Sequence, residues 1–290
     1  MNSETRLCAV IGNPVAHSLS PIMHNAAFAA CELNYVYLAF QVSDVGGAMA
    51  GMRALNGFRG MSVTIPHKVP IMHYLDEIHP LAEKVGCVNT IVNESGRLIG
   101  ATTDGLGTLR AFECAGIDLN EKRILFLGTG GAARAVAFAM ADACRPRHIQ
   151  ILGRTESRML HLVDDLSAAS ACEIRPGLLA NNLHGAVSKC DVIIQATPVG
   201  MHGHAEEERI VPAELLRPDH IVFDMVYRPM KTRLLKDAEA IGCATVPGLE
   251  MLLYQAVLQF ELWTGHAAPE TVMRSALIAA LNPPDKDTTT

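Results

Sequence analysis

Ile124-Leu125-Phe126-Leu127-Gly128-Thr129-Gly130-Gly131-Ala132-Ala133-Arg134-Ala135-Val136 runs from four apolar residues through a glycine-rich break into an alanine-rich segment. The apolar residues read as a buried strand, and 131–143 reads as a helix. The break between them is G-x-G-x-x-A. Gly128 permits a tight turn, Gly130 lets the backbone approach a pyrophosphate, and Ala133 is small enough for the helix to pack on the strand. Thr129, Gly131 and Ala132 then place the free N–H groups of a helix N-terminus, and its positive dipole end, where phosphates would lie. Strand, loop and helix in this order predict a doubly wound parallel sheet that binds a dinucleotide.

The flanking chain carries the same alternation. Strands are expected at 149–152, 191–195, 221–225 and 244–246, with helices near 156–170 and 231–241. Upstream, strands are expected at 6–12, 35–42 and 57–65, and helical character over 67–84. Ser20-Pro21 reads as a helix start, with Ser20 as N-cap and Pro21 at the first helical position. Residues 88–92 and 98–101 flank Asn93-Glu94-Ser95-Gly96, a turn signal, so they predict a hairpin. The first hundred residues are therefore expected to form an α/β unit on a partly antiparallel sheet. Residues 249–281 read as two helices, with Leu253, Val257, Phe260 and Trp263 on one core-facing stripe. Gly105 and Gly107, where the second unit begins, suit either a hinge or an ordinary turn.

The end of the strand after the glycine loop bears on the cofactor. NAD sites place Asp or Glu there, roughly 20 residues on, against the ribose 2′-hydroxyl. Here Gly153 is followed by Arg154 and Thr155, with Arg158 one helical turn later. A guanidinium pairs bidentately with a 2′-phosphate, so NADP is expected rather than NAD. A solvated basic helix start is the alternative. Glu156 is two positions late for the ribose role and suits the helix N-terminus.

Composition excludes several classes. With 290 residues, 49% hydrophobic and 19% charged, the chain is long enough for two globular domains without disulfide or metal staples. The net charge of -6 and the lack of a basic stripe argue against nucleic acid as a partner. Eight cysteines stand singly with no Cys-x-x-Cys pair, which suits a reducing compartment. No signal-like start and no apolar run of the ~18 residues needed to span a bilayer are seen. A cytoplasmic protein with no membrane partner is expected. His202-Gly203-His204 has no third ligand at a recognisable spacing, so no metal is expected.

Four segments of the first unit gather polar residues at strand ends and turns, where open α/β sheets bind ligands. They are Gly12-Asn13-Pro14-Val15-Ala16-His17-Ser18-Leu19-Ser20-Pro21, Gly60-Met61-Ser62-Val63-Thr64-Ile65-Pro66-His67-Lys68, Gly86-Cys87-Val88-Asn89-Thr90 and Gly100-Ala101-Thr102-Thr103-Asp104-Gly105-Leu106-Gly107. The second half adds Ala196-Thr197-Pro198-Val199-Gly200-Met201, Asp224-Met225-Val226-Tyr227-Arg228-Pro229 and Gly248-Leu249-Glu250-Met251-Leu252-Leu253-Tyr254-Gln255. Singly, each has a structural explanation; Ser20 and Asp104 suit helix caps, and Lys68 suits a surface.

Together, from about Cys8 to Gly265, these motifs resemble the shikimate dehydrogenase (shikimate/quinate dehydrogenase) family. The resemblance implies an N-terminal mixed-sheet substrate domain and a Rossmann-type NADP-binding domain. It divides the chain into 1–103, completed by helices in 248–282, and 104–247, with 283–290 a disordered tail. It implies reversible NADPH-dependent reduction of 3-dehydroshikimate to shikimate, a step toward chorismate and the aromatic amino acids. By the same resemblance, Ser18 and Ser20 hold the substrate carboxylate with help from Tyr227. Thr64, Asn89 and Gln255 hold the ring hydroxyls, and Lys68 with Asp104 forms the catalytic pair. Gly128, Thr129, Gly130, Gly131, Ala132, Arg154, Thr155 and Arg158 bind NADP. Ala196, Thr197, Met201, Met225, Gly248 and Met251 line the nicotinamide side.

The chain departs from the family pattern at Ser62, often Asn, at Thr102, usually Asn, and at Gly153, usually Asn. None of these removes a charged catalytic group. A quinate-active enzyme using NAD and a non-catalytic metabolite-binding protein on the same scaffold remain alternatives, and a folate dehydrogenase of similar layout would not need the Ser-x-Ser, Tyr227 and Gln255 set. Monomer and homodimer are both open.

Overall fold

The computed structural model describes residues 1–282. The expected tail, 283–290, lies outside the described residues. The chain divides into two compact units, one holding Met1–Thr103 and the described chain from Gln255 onward, the other Asp104–Tyr254. The division falls inside a helix, after Tyr254, seven residues beyond the point chosen from sequence.

The first unit follows the order β1 (Arg6–Gly12), α1 (Ser20–Ala30), β2 (Tyr35–Gln41), α2 (Val45–Ala54), β3 (Phe58–Val63), β4 (Glu77–Ile78), α3 (Pro80–Val85), β5 (Thr90–Glu94) and β6 (Arg97–Ala101). Its sheet has the order β2-β1-β3-β5-β6-β4. β5 runs antiparallel to both β3 and β6, and the other pairings are parallel. The partly antiparallel sheet expected from sequence is therefore present. Alternation along the strands sends Ala9, Ile11, Met61, Val63 and Ile91 into one apolar core. An aromatic cluster is built from Phe28, Tyr37, Phe260 and Trp263, with His24 stacked on Tyr37 at 4.5 Å. Gly60 has a packing reason, since an added Cβ would collide with the Trp263 indole and the Ile91 carbonyl.

The structure corrects several sequence expectations here. Ser20 is the first helical residue of α1, not its cap; Leu19 holds the cap position without a side-chain bond. The Ser18 hydroxyl instead accepts from the Ser20 N–H at 3.3 Å. Residues 67–84 are not one helix, because Pro70 and Pro80 each start a new element, a 3-10 turn (Pro70–Tyr74) and α3, with β4 between. Helix α2 escaped the sequence reading because Gly46, Gly47 and Gly51 are poor helix formers. Asp44 rescues it by accepting from the Gly47 N–H at 3.0 Å, and Met49 is buried. The hairpin turn is tighter than expected, with Ser95 and Gly96 both at positive φ.

The second unit contains α4 (Asp104–Cys114), β7 (Arg123–Leu127), α5 (Gly131–Ala143), β8 (His148–Gly153), α6 (Glu156–Ala169), β9 (Ile174–Leu178), α7 (Leu179–Val187), β10 (Val192–Gln195), β11 (Ile221–Asp224), α8 (Arg233–Ile241) and β12 (Ala244–Pro247). Helix α9 (Gly248–Thr264) starts in this unit and ends in the first, to which α10 (Glu270–Leu281) belongs. The sheet order is β12-β11-β10-β7-β8-β9, all parallel. This is the doubly wound order, with its switch point between β7 and β10. Asp191 pins these two strands at their start. It accepts from the Arg123 backbone N–H at 2.8 Å and from the Arg123 guanidinium, and these bonds hold its carboxyl down at about 2.

Strand β9 and helix α7 were missed from sequence. β9 contains Pro176 and Gly177, which argue against a strand, yet it lies at the sheet edge, where such residues are tolerated. Gly105 and Gly107 lie inside α4, in neither a turn nor a loop. Gly105 packs α4 against α5, since a Cβ would strike Ala135 O and Ala139 Cβ.

Candidate active site

In the second unit the strands deliver their carboxyl ends to one edge of the sheet. Gly128 follows β7 and adopts φ +118°, where an added Cβ would sit 2.8 Å from Ala196 O. Gly130 is the N-cap of α5 and makes no side-chain cap, and nothing lies within 4 Å of where a Cβ would point from Gly130 or Gly131. The first turn of α5 thus presents backbone N–H groups to open space with no acidic residue beside them. A cavity of about 200 Å³ lies here, lined by Gly128, Thr129, Gly130, Arg154, Thr155 and Arg158 together with Leu179, Ala196 and Thr197. Among the described residues neither Arg154 nor Arg158 has an ion-pair partner, and Thr155, the N-cap of α6, uses no side-chain bond there. Donors and cations around a glycine loop fit a phosphorylated dinucleotide, and the cations at 154 and 158 fit its 2′-phosphate. The glycine at 153 has a local reason, because a Cβ would meet Met159 Cβ at 2.8 Å and Thr129 Cγ2 at 3.0 Å.

Two side chains given no role from sequence hold the neighbouring loops. Gln195, 1% exposed at the end of β10, donates to Thr197 O at 3.1 Å and Val199 O at 2.9 Å and accepts from the Thr197 N–H at 2.9 Å. It fixes the loop carrying Ala196, Thr197 and half-exposed Met201. Asp224, fully buried at the end of β11, accepts from Thr232 Oγ1 at 2.6 Å and from the Val226 N–H at 3.0 Å. Burial pushes its carboxyl up to about 6. It fixes the turn carrying Met225 and Tyr227. Gly248 lies against this turn, since a Cβ would fall 2.6 Å from Met225 O. Their sequence signal was a single polar residue closing each apolar strand.

In the first unit the register brings the carboxyl ends of β1, β3 and β6 and the amino end of β5 to one edge, with Val10 beside Ser62, Ser62 beside Thr90 and Thr90 beside Ala101. Thr64 follows β3, its N–H donating to Ile11 O at 2.9 Å. Lys68 sits on the next turn, which is anchored on both sides. Buried His67 donates from Nε2 to Val42 O at 2.8 Å, and the Val88 N–H donates to Lys68 O at 2.9 Å. Behind this edge runs a directional chain of hydrogen bonds. Tyr37 Oη donates to Ser62 Oγ (2.6 Å), Ser62 to Gln259 Oε1 (2.8 Å), Gln259 Nε2 to Thr90 Oγ1 (2.9 Å) and Thr90 to Asn89 Oδ1 (2.7 Å). Asn89 Nδ2 donates to Thr103 Oγ1 at 3.1 Å. Gln255 stands one turn before Gln259 on α9 and is 8% exposed. The chain therefore reaches Asn89, an expected contact, through Tyr37, Ser62, Gln259 and Thr90, which the sequence reading gave no role in the site. Ser62, noted as a departure from the family pattern, is a junction in it.

Of the expected residues, Ser18, Ser20, Thr64, Lys68, Asn89 and Gln255 lie in the first unit. Asp104, Tyr227, Met251 and the cofactor set lie in the second. Asp104 is the first residue of α4 and is 7% exposed. His202 meets Glu206 at 2.8 Å on an exposed loop.

Residues 10–91 match the family described as shikimate dehydrogenase substrate binding domain, 110–222 match shikimate / quinate 5-dehydrogenase, and 248–278 match the shikimate 5'-dehydrogenase C-terminal domain. The chain is 46% identical over 283 residues to the shikimate dehydrogenase (NADP(+)) of Thermococcus kodakarensis, covering 97% of this chain and 99% of that protein. It is similar to the crystal structure of Listeria monocytogenes shikimate 5-dehydrogenase in complex with shikimate and NAD, with TM-score 0.91 and 39% identity over 96% of this chain and 98% of that one. A shikimate dehydrogenase crystallised with NADP+ is 41% identical, with TM-score 0.88 over 97% of each chain.

Proposed function

The chain belongs to the shikimate dehydrogenase family, and on that premise we propose that it interconverts 3-dehydroshikimate and shikimate with NADP as its cofactor. The observation that carries the reading is the glycine-loop cavity flanked by Arg154 and Arg158, neither ion-paired among the described residues. An acidic residue in their place would repel a 2′-phosphate, whereas guanidinium groups hold it.

NADPH, when bound, supplies hydride to the ring carbonyl. The residues of this chain do the rest. Gly128, Thr129, Gly130, Gly131 and Ala132 hold the pyrophosphate, Arg154, Thr155 and Arg158 hold the 2′-phosphate, and Ala196, Thr197, Met201, Met225, Gly248 and Met251 exclude water on the reactive side. Ser18 and Ser20, with Tyr227, donate to the substrate carboxylate. Thr64, Asn89 and Gln255 bond the ring hydroxyls and fix which carbon is presented. Lys68 stabilises the developing alkoxide and delivers the proton to its oxygen, and Asp104 is the carboxylate that bonds a substrate hydroxyl. The two functional domains are proposed as 1–103 with the C-terminal helices, and 104–247.

The protein is assigned to the cytoplasm as a monomer or homodimer. All eight cysteines are free, and no helix among the described residues is long and apolar enough to cross a membrane.

Initial rates crossing shikimate and quinate against NADP+ and NAD+ test the proposal. Turnover confined to shikimate with NADP+ supports it. Strong turnover with quinate or NAD+ overturns the specificity and leaves the Lys68 chemistry standing. No turnover in any combination favours a binding protein on this scaffold.

A further inference from the structure

The opposite edge of the first sheet carries a second cavity, of about 680 Å³, lined by Arg6, Arg53 and Arg59 with Gly57, Glu94 and Ser95 among its walls. Its position follows from the topology. Arg6 opens β1, Arg59 is the second residue of β3, and Ser95 lies in the β5–β6 turn, so the cavity sits where β1 and β3 begin. The residues assigned to substrate lie where those strands end.

Each guanidinium is held differently. Arg59 donates from Nε to Trp263 O at 2.7 Å, from Nη2 to Leu262 O at 3.4 Å, and from Nη1 to Asn93 O. Its partners are all neutral carbonyls, and a guanidinium has five N–H groups, so about two remain for a ligand. Arg53 is tied to Asp76 at 2.7 Å, Gly96 O at 2.8 Å and Tyr74 O at 3.2 Å. Arg6 leans on the Tyr35 ring, 5.9 Å from its centroid, and among the described residues its guanidinium has one hydrogen bond, to Tyr35 Oη at 3.5 Å. Among the described residues neither Arg6 nor Arg59 has a carboxylate partner, and Glu94 is the one acidic residue of the wall.

Three guanidinium groups around one cavity repel each other, and a single carboxylate with one outside ion pair leaves that charge undercompensated. The excess stands out on a chain of net charge -6. The volume falls in the range of about 300–1,000 Å³ that small-molecule sites occupy. Arg59 and Arg53 are anchored by backbone carbonyls, so their donors are pre-positioned and little side-chain freedom is lost on binding.

We propose that this cleft is a second small-molecule site, for an anion bearing phosphoryl or carboxylate groups, separate from the cofactor cavity of the other unit. Arg6 and the remaining Arg59 N–H groups supply its contacts.

Calorimetric titration with inorganic pyrophosphate and, separately, citrate tests this. The Arg154→Ala chain is titrated so that the glycine-loop cavity contributes little. One saturable event per chain is expected, weakened by salt, and reduced on the order of tenfold by adding Arg6→Glu, the effect of about one charge-assisted bond. Arg6 is exposed and lacks an ion pair, so the substitution leaves the fold intact, as an unchanged melting temperature without ligand would verify. Pyrophosphate binding alone assigns phosphoryl recognition; citrate binding as well assigns recognition of charge. No saturable event with either probe, or the same affinity with and without Arg6→Glu, overturns the proposal. Turnover is not the readout, so failure of the dehydrogenase reading would not affect it.

Discussion

The two sheets of this protein use buried polar groups in opposite ways. In the parallel sheet, Gln195 and Asp224 each close one strand and hold one loop by short local bonds, to residues two to eight positions away. In the mixed sheet, Tyr37, Ser62, Gln259, Thr90, Asn89 and Thr103 form one chain across four elements and the segment after β6, spanning sequence separations up to 197 residues. Loops fixed singly tolerate local change; a rim fixed as a network transmits a change at one member to the others.

The largest expected effect breaks the chemistry and leaves both scaffolds intact. Lys68→Ala should lower kcat by about 10²–10⁴-fold with a much smaller change in substrate KM, because a proton donor acts mainly in the transition state. A raised KM with kcat preserved would remove Lys68 from the catalytic role.

Tyr37→Phe tests the network. Loss of the bond to Ser62 should cost about 1–2 kcal/mol of stability, a shift of roughly 2–8 °C in melting temperature. Because Ser62 loses its donor and the change passes along the chain to Asn89, KM for substrate should rise with kcat nearly unchanged. Loss of stability with an unaltered KM would make the network purely structural.

Acid should separate the two units by smaller increments. Burial, opposed weakly by Gln259, lowers the His24 imidazole from 6.5 to about 3. Its stabilisation is present above 6.5 and is lost as pH falls toward 3, with a limiting slope of about 1.4 kcal/mol per pH unit. Asp224, raised from 3.8 to about 6, behaves in the reverse sense, its contribution full below 3.8 and lost as pH rises through about 6. Asp191, lowered to about 2, holds its contribution until the pH falls below about 4. Burial lowers His148 and His220 of the second unit in the same sense as His24, though less, while Asp224 acts oppositely; the larger shift at His24 predicts that the first unit loses amide-exchange protection first between pH 6.5 and 4, and that His24→Phe shrinks the difference. Equal loss in both units would contradict this ordering.

The parallel sheet was legible because one loop, G-x-G-x-x-A, constrains strand, turn and helix together. What escaped was β9, whose Pro176 and Gly177 are acceptable at a sheet edge, a placement that depends on strand order. In the mixed sheet, periodicity located the long strands but missed α2, whose three glycines are offset by the Asp44 cap and by Met49 in the core. It also joined the 3-10 turn, β4 and α3 into one helix across Pro70 and Pro80. Side chains expected at the site were visible as polar residues at strand ends. Their supports were less so, because Tyr37 and Gln259 sit in apolar runs and are joined only through Ser62, where α9 packs on the sheet.

The division of labour is tested most directly by the ratio of kcat/KM for NADP+ to that for NAD+, at saturating shikimate, in the wild-type chain and in Arg154→Ala. Loss of a charge-assisted contact worth about 1.5–3 kcal/mol predicts a fall in that ratio of roughly 10- to 100-fold, with the KM for shikimate unchanged. An unmoved ratio, or a change in the shikimate KM, would contradict the assignment of cofactor choice to Arg154.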